Sequence, residues 1–173
     1  TVVADDTRIR GALDTIKYIM EKGGKCILAS HLGRPDGKKD LRYSLVPVGE
    51  KLSELLDKDV LLTDDCVGDG PKGLSQRMRQ GDILLLENLR FHPGEEANDP
   101  LFVAKLSELC ELYVSDAFGT LHRAHASTAG LPRMMPDRRA AGMLVQREME
   151  FLGPLKDSPN RPFVLVMGGA KVS

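Results

Sequence analysis

Apolar residues recur every three or four positions in several stretches of the chain, which is the spacing of one face of an α-helix. The first predicted helix covers residues 7–24, and its apolar face carries Ile9, Leu13, Ile16 and Met20. Asp6 or Thr7 can cap its start, and the paired glycines at its end can stop it. Four further helices are predicted over residues 45–58, 70–81, 98–111 and 141–155.

Short apolar runs alternate with these helices and predict strands over residues 25–30, 59–63, 82–88, 112–116 and 162–169. Their apolar positions are continuous rather than alternating, which is typical of parallel strands buried on both faces. The pattern therefore predicts an α/β fold, a three-layer α/β/α arrangement around a mainly parallel, Rossmann-like sheet. The longest irregular segment, residues 117–137, is long enough to be a functional loop.

Cationic side chains and glycines gather in the loops that follow four of the predicted strands. In a sheet of this kind the carboxyl ends of the strands share one edge, and ligands bind there. In chain order, these loops hold His31, Gly33 and Arg34, then Arg90 and His92, then His122, Arg123 and His125, and finally Gly168, Gly169 and Lys171. Arg8, at the start of the first helix, is expected at the same edge.

A small ligand with several negative charges is the natural occupant of such an edge. Like charges held close together cost energy unless an anion joins them. Arginine matches carboxylate and phosphate through two parallel hydrogen bonds, and Gly33 lets a bulky anion approach the backbone. A single arginine or histidine after a strand is more often a surface or structural residue. The recurrence after four strands is what favours an anion site.

Composition and charge limit the kinds of partner and cellular environment that are expected for the chain. The 173 residues carry a formal net charge of −1, which argues against a nucleic-acid partner. No apolar run approaches the roughly 20 residues of a membrane span, and no signal peptide is visible. Cys26, Cys66 and Cys110 are expected to be free thiols in a reducing cytosol, and no Cys/His spacing predicts a metal site.

The glycine motif "GGAK", residues 168–171, follows a predicted strand and opens a predicted helix. Backbone N–H groups in that position can hold a phosphate. The motif has neither the Walker A spacing nor GxGxxG, so taken alone it indicates a nucleotide loop only weakly, and a Rossmann-type dinucleotide binder is disfavoured.

Four motifs in this order resemble the phosphoglycerate kinase family: "SHLGRP" (30–35), "LLLENLRFHPGEE" (84–96), "SDAFGTLHRAHAST" (115–128) and "GGAKVS" (168–173). The resemblance covers essentially the whole chain. It implies a two-domain α/β kinase whose amino-terminal domain binds 3-phosphoglycerate and whose carboxyl-terminal domain binds magnesium-ATP or ADP. Residues 1–173 would then be a single amino-terminal substrate domain that is incomplete. The first strand of the family domain, the nucleotide domain and the magnesium ligands are expected to be absent.

The resemblance also implies roles for individual residues. Arg8 matches an arginine that binds substrate and stabilises the phosphoryl group in flight, and Lys171 matches a lysine that contacts that group. Gly168 and Gly169, with Lys171, match the loop near the nucleotide phosphates. The substrate-binding set implied by the family is Arg8, His31, Leu32, Gly33, Arg34, Arg90, His122 and Arg123. The sequence departs from the family at Leu121, where a small residue is usual, and at Ser115, where Asn is common.

The resemblance implies a glycolytic, cytoplasmic and usually monomeric enzyme. It would transfer a phosphoryl group between 1,3-bisphosphoglycerate and ADP, with no nucleic-acid or membrane partner. A chain without the nucleotide site is expected to have little or no kinase activity alone. A non-catalytic anion-binding module remains an alternative.

Overall fold

The computed structural model describes residues 3–157, 161–166 and 168. Its helices are α1 (Thr7–Glu21), α2 (Val46–Leu56), α3 (Asp69–Arg77), α4 (Pro93–Glu96), α5 (Pro100–Ser107), α6 (Leu131–Met134) and α7 (Met143–Asp157). Its strands are β1 (Cys26–Leu28), β2 (Val60–Leu62), β3 (Ile83–Leu85), β4 (Tyr113–Ser115) and β5 (Arg139–Ala141). Single 3₁₀ turns cover Leu41–Tyr43, Leu89–Phe91 and Phe118–Thr120, and a π-helical turn covers Ala126–Gly130.

Local side-chain chemistry sets the helix ends. Asp5, rather than the predicted Asp6 or Thr7, accepts a hydrogen bond from the first backbone N–H of α1, at 2.9 Å. Asp6 instead pairs with Arg10 one turn later, at 2.9 Å. Helix α5 follows the expected pattern, because Asp99 accepts a hydrogen bond from Phe102 N at 2.9 Å and a proline occupies the first turn.

The main sheet has the strand order β1–β3–β2, and both pairings are parallel. Ile83 at the start of β3 lies opposite Cys26 on one side and Val60 on the other. All three residues of β3 are buried, which agrees with the continuous apolar run predicted there. The carboxyl ends of the three strands therefore meet at one edge of the sheet.

Two apolar cores cover the two faces of β3. On one face, Ile83 packs with Leu13 and Ile16 of α1 and Leu52 of α2. On the other face, Leu84 belongs to a larger core that also includes Met78, Phe102, Val103, Leu106 and Leu131. Helices thus cover both faces of a parallel sheet, which confirms the predicted α/β class with its three layers.

The five strands of the described chain form two parallel sheets, the three-stranded one above and a two-stranded one of β4 and β5. Strand β4 pairs in parallel with β5 and forms no ladder with β1 or β3. Residues 139–141 form β5, which includes the first residue of the helix predicted over 141–155, so α7 begins two residues later than predicted, at Met143. Apolar runs specify that a segment is extended, but its partner depends on contacts distant in sequence.

The last predicted strand, residues 162–169, is not a strand in its described part. Residues 161–166 form neither helix nor sheet, and Val164 and Val166 are 78% and 88% exposed. An apolar run becomes a strand only when a neighbouring strand satisfies its backbone, and no neighbour is present within the described residues. Conversely, the segment 117–137, predicted to be irregular, contains the 3₁₀ turn Phe118–Thr120, the π-helical turn Ala126–Gly130 and helix α6.

Among the helices of the described chain, none combines the length and the apolar content needed to cross a membrane.

Replacing Leu84 by Ala should remove the packing of the central strand on the larger core. Because Leu84 has no exposed surface, we expect Leu84→Ala to lower the free energy of unfolding by about 2–5 kcal/mol. Urea unfolding followed by circular dichroism measures this. Leu101→Ala is the matched control, since Leu101 is 75% exposed on α5, and its effect should stay within about 0.5 kcal/mol. Equal losses for both variants would contradict the two-core description.

Candidate functional site

Five cationic or potentially cationic groups converge at the carboxyl edge of the sheet. They are Arg8, His31, Arg90, Arg123 and His125, and we call them the cation cluster. Burial, together with the positive charges of Arg90, His125, Arg123 and Arg8, lowers the pKa of His31 to about 4. His31 is therefore neutral near pH 7. The positive groups that act on its imidazole come from three other segments of the chain: the start of α1, the turn after β3 and the loop after β4.

Arg90 is the most buried member of the cation cluster, with a side chain 7% exposed. Its Nη1 donates a hydrogen bond to the Gly33 carbonyl at 2.8 Å. Its Nε lies 3.2 Å from Glu96 Oε1, close enough for an ion pair. The Nε–H nevertheless makes no hydrogen bond to that oxygen or to any other described residue. A buried guanidinium with an unused donor is well suited to hold an anion.

The backbone at Gly33 accounts for the glycine in "SHLGRP". Gly33 has φ +64°, in the left-handed region that favours glycine. A Cβ at this position would also lie 2.3 Å from the ring of Tyr43. The glycine is thus required by the fold of the loop itself, and this same fold aims the Gly33 carbonyl at Arg90.

A buried asparagine ties three segments of the site together. Asn88 has no exposed surface. Its Nδ2 donates to the carbonyls of Leu32 and Tyr43, at 2.8 and 2.9 Å. Its Oδ1 accepts from the backbone N–H of Arg90 at 3.0 Å. The loop after β1 and the turn after β3 are therefore fixed relative to each other.

A buried carboxylate fixes the loop that carries Arg123 and His125. Glu95 is 3% exposed and accepts hydrogen bonds from Ser127 N at 3.1 Å and Ser127 Oγ at 2.5 Å. It also lies 3.9 Å from His125 Nδ1. Thr128 Oγ1 donates to the Arg123 carbonyl at 2.8 Å, which closes the same loop. Glu95 thus connects the start of α4 to the loop after β4.

Five of the eight residues in the predicted substrate-binding set lie at the surface, Arg8 and Gly33 among them. Leu32, Arg34 and His122 are exposed, although the Leu32 carbonyl is held by Asn88. The guanidinium groups of Arg8, Arg34 and Arg123 have no hydrogen bond or ion pair to any described residue, so all three can engage a ligand.

His122 and Arg123 also line a shallow depression of about 340 Å³. Arg133 and Arg139 line the same depression, and the Arg139 guanidinium donates to the Pro132 carbonyl at 3.0 Å. The positive surface therefore extends beyond the residues predicted from the strand ends.

Four residues that were predicted at the cationic edge of the sheet are not part of the cation cluster. Gly169 and Lys171 lie outside the described residues, and Gly168 is described only as an exposed position. His92, which follows β3, turns away from the cation cluster to Asp65, with 2.6 Å between its Nε2 and Asp65 Oδ1.

Sequence reasoning missed Asn88 and Glu95, the two buried polar residues that position the cations. The available signal for Asn88 was a polar residue at the end of a continuous apolar run, immediately before Leu89 and Arg90. Glu95 carried no comparable signal, because its partner Ser127 is 32 residues away.

A family model described as "Phosphoglycerate kinase" matches residues 1–173. A phosphoglycerate kinase of Anaeromyxobacter sp. (strain Fw109-5) is 57% identical over 173 residues, covering 99% of this chain and 43% of that protein. One from Dictyoglomus turgidum is 55% identical, with the same coverage. The chain thus spans less than half the length of the curated relatives that it matches.

A solved structure titled as phosphoglycerate kinase from Pyrococcus horikoshii OT3 superimposes with a TM-score of 0.88 at 34% identity. It covers 98% of this chain, which corresponds to 43% of that one. A structure from Coxiella burnetii gives a TM-score of 0.80 at 36% identity, over 93% of this chain and 39% of that one.

The depressed pKa of His31 makes stability depend on pH in a defined direction. Between the ordinary histidine pKa of 6.5 and the folded value of about 4, the unfolded chain binds more protons than the folded chain. We therefore expect stability to fall as the pH drops from 6.5 to 4, and His31→Gln to reduce that slope. Thermal unfolding at several pH values measures it, and NMR should give a His31 midpoint near 4. His122→Gln, at an exposed histidine, is the control. A His31 midpoint at or above 6.5 would contradict convergence of the cations.

Replacing Glu95 by Gln should release the Arg123 loop, because the buried acceptor for two Ser127 hydrogen bonds loses its charge. We expect a loss of about 1–3 kcal/mol in the free energy of unfolding, measured by urea denaturation. Glu111→Gln, at an exposed glutamate, is the matched control and should have little effect. If Glu95→Gln behaves like that control, the carboxylate does not hold the loop.

Proposed function

Because this chain belongs to the phosphoglycerate kinase family, we propose that its parent protein catalyses a step of glycolysis. The reaction is reversible phosphoryl transfer between 1,3-bisphosphoglycerate and ADP, which gives 3-phosphoglycerate and ATP. Within that protein, residues 1–173 are the substrate-binding part, an incomplete amino-terminal domain. The chain alone is not expected to complete the reaction, because it spans less than half of its relatives.

The observation that carries this proposal is the convergence of the cation cluster on His31. Substrate and product of the reaction each bear phosphate together with a carboxylate or an acyl phosphate. A site with several cations from separate loops matches a ligand whose negative charges lie at both ends. Among the residues that the structure describes, the Nε–H of Arg90 and the guanidinium groups of Arg8, Arg34 and Arg123 have no hydrogen-bond acceptor, and they are donors for such a ligand.

We assign substrate binding to the cation cluster together with its neighbouring loop positions. Arg90, held by Gly33 and Asn88, provides a fixed buried charge. Arg8 and Arg123 provide adjustable ones, and Arg8 also stabilises the phosphoryl group as it moves. The complete proposed set is Arg8, His31, Leu32, Gly33, Arg34, Arg90, His122 and Arg123. Lys171 is proposed to contact the transferring phosphoryl group, with Gly168 and Gly169 beside the nucleotide phosphates.

The chemistry of the reaction explains why the site consists of cations. The phosphoryl acceptor is a carboxylate, which is already ionised near pH 7, so no general base has to remove a proton. Phosphoryl transfer depends mainly on positioning and on stabilising the charge of the transferring group. Arginine side chains on anchored loops supply both.

The two carboxylates that contact the cation cluster within the described residues do not fit a magnesium site. Glu95 is committed to Ser127, and Glu96 faces Arg90. We therefore assign no magnesium ligand to this chain. We propose that magnesium-ATP or ADP is bound by the carboxyl-terminal domain of the parent protein, which is the partner of this domain. The parent is proposed to be a cytoplasmic monomer.

The direct test is binding of 3-phosphoglycerate to the 173-residue chain, measured by isothermal titration calorimetry at low salt. We expect Arg123→Ala to weaken binding about tenfold or more, since a charge-assisted hydrogen bond contributes about 1.5–3 kcal/mol. Arg77→Ala, at an exposed arginine in the last turn of α3, is the control and should leave the affinity unchanged.

Inorganic sulfate at equal ionic strength distinguishes the two functional hypotheses. Preference for 3-phosphoglycerate supports the substrate site. Equal affinity for both anions would favour a general anion-binding module, and absence of binding would contradict a site formed by this chain alone.

A further inference from the structure

A second group of polar side chains lies at the same edge of the sheet, outside the cation cluster. It consists of Asp65, Cys66 and His92, whose ligand atoms all lie within 4.8 Å of one another. Asp65 and Cys66 are in the loop after β2, and His92 follows the 3₁₀ turn after β3. Because β2 and β3 are parallel neighbours, their carboxyl ends bring these loops together. Cys66 and His92 are 26 positions apart, so no short Cys/His spacing could have revealed the group.

One oxygen of Asp65 contacts both of the other residues. His92 Nε2 lies 2.6 Å from Asp65 Oδ1, and that same oxygen accepts the Cys66 backbone N–H at 2.6 Å. The imidazole of His92 stacks on Phe102, with ring centroids 5.2 Å apart and an interplanar angle of 28°. This packing fixes the plane of the His92 ring, just as residues that contact a metal-binding histidine commonly fix its orientation.

The set of donor atoms is one that zinc prefers. Thiolate sulfur, imidazole nitrogen and carboxylate oxygen bind Zn²⁺ at roughly 2.0–2.3 Å. Tetrahedral ligands at such distances are roughly 3.3–3.8 Å apart, so the histidine–aspartate contact would open by less than about 1 Å. Asp65 is only partly buried and can make this movement. A thiolate and a carboxylate together also balance the charge of a divalent ion.

The three residues differ in exposure, so that one side of the group is buried and the other faces solvent. Cys66 is 1% exposed and forms the floor, whereas the side chains of His92 and Asp65 are 31% and 46% exposed. An ion can therefore enter from the solvent side. Three protein ligands below it leave a fourth position open to water.

We propose that Cys66 Sγ, His92 Nε2 and the Asp65 carboxylate bind one zinc ion, with water as the fourth ligand. Binding releases the thiol proton of Cys66 to solvent, because the thiolate is the ligand. The ion takes the place of the hydrogen bond between His92 and Asp65 and joins the loops after β2 and β3. This inference does not depend on the proposed kinase function.

Cobalt(II) tests the site directly, because its spectrum reports the ligands. Titrating the reduced 173-residue chain with Co²⁺ should produce a thiolate-to-cobalt charge-transfer band and intense four-coordinate visible bands, saturating at one ion per chain. Zn²⁺ should bleach these bands. Cys66→Ser should abolish the charge-transfer band and weaken binding at least about tenfold. Cys110→Ser, at the partly buried cysteine, is the control and should keep the spectrum.

Two further variants cover the case in which Cys66→Ser does not fold. His92→Gln and Asp65→Asn alter partly exposed side chains, and each should weaken Co²⁺ binding at least about tenfold. Zn²⁺ should raise the melting temperature of the unmodified chain more than that of either variant. The proposal is overturned if stoichiometric Co²⁺ gives no charge-transfer band, if that band is lost in Cys110→Ser, or if Zn²⁺ stabilises all variants equally.

Discussion

The amide of Asn88 is the contact on which the geometry of the anion site depends. It is fully buried, and its three hydrogen bonds run to Leu32, Tyr43 and Arg90. A buried polar group left without partners costs about 1–3 kcal/mol, so these segments cannot move apart without a penalty. The adjacent Glu87 is also buried and accepts hydrogen bonds from Ser44 and the backbone of Leu45, at 2.7 and 2.8 Å. Together they make the loops after β1 and β3 a single unit.

Such anchoring is needed because the site is electrostatically unfavourable when empty. Three guanidinium groups and two imidazoles are held in one region, and mutual repulsion opposes this arrangement. Two features reduce that cost. His31 remains neutral at pH 7, and the buried carboxylate of Glu95 places a negative charge close to His125. The remaining repulsion is offset by the apolar cores on both faces of β3.

The parts predicted well from sequence are those with local causes. Helices α1, α2 and α5 and the buried strand β3 follow from apolar spacing and capping residues within one segment. The edge that carries the cations follows from the rule that parallel strands share a direction.

What the sequence left open depends on contacts between distant segments. The pairing of β4 with β5 and the hydrogen bond between Glu95 and Ser127 join residues more than twenty positions apart. The run 163–166 has strand-forming residues but no partner strand in the described chain, so its composition alone misled the prediction. The direction of His92 was equally hidden, because nothing in the motif "LRFHPGEE" indicates Asp65 as its contact.

The neutral state of His31 has a consequence for the energetics of ligand exchange. An anion placed among the cations favours the imidazolium form, so the pKa of His31 must rise when the site is filled. By thermodynamic linkage, the protein then takes up a fraction of a proton along with each anion. Hydrogen ion acts as a second ligand of the site, and mild acidification strengthens the hold on the anion while it weakens the empty fold. Protonation of the His31 imidazole therefore favours the anion-bound protein and disfavours the folded protein without an anion.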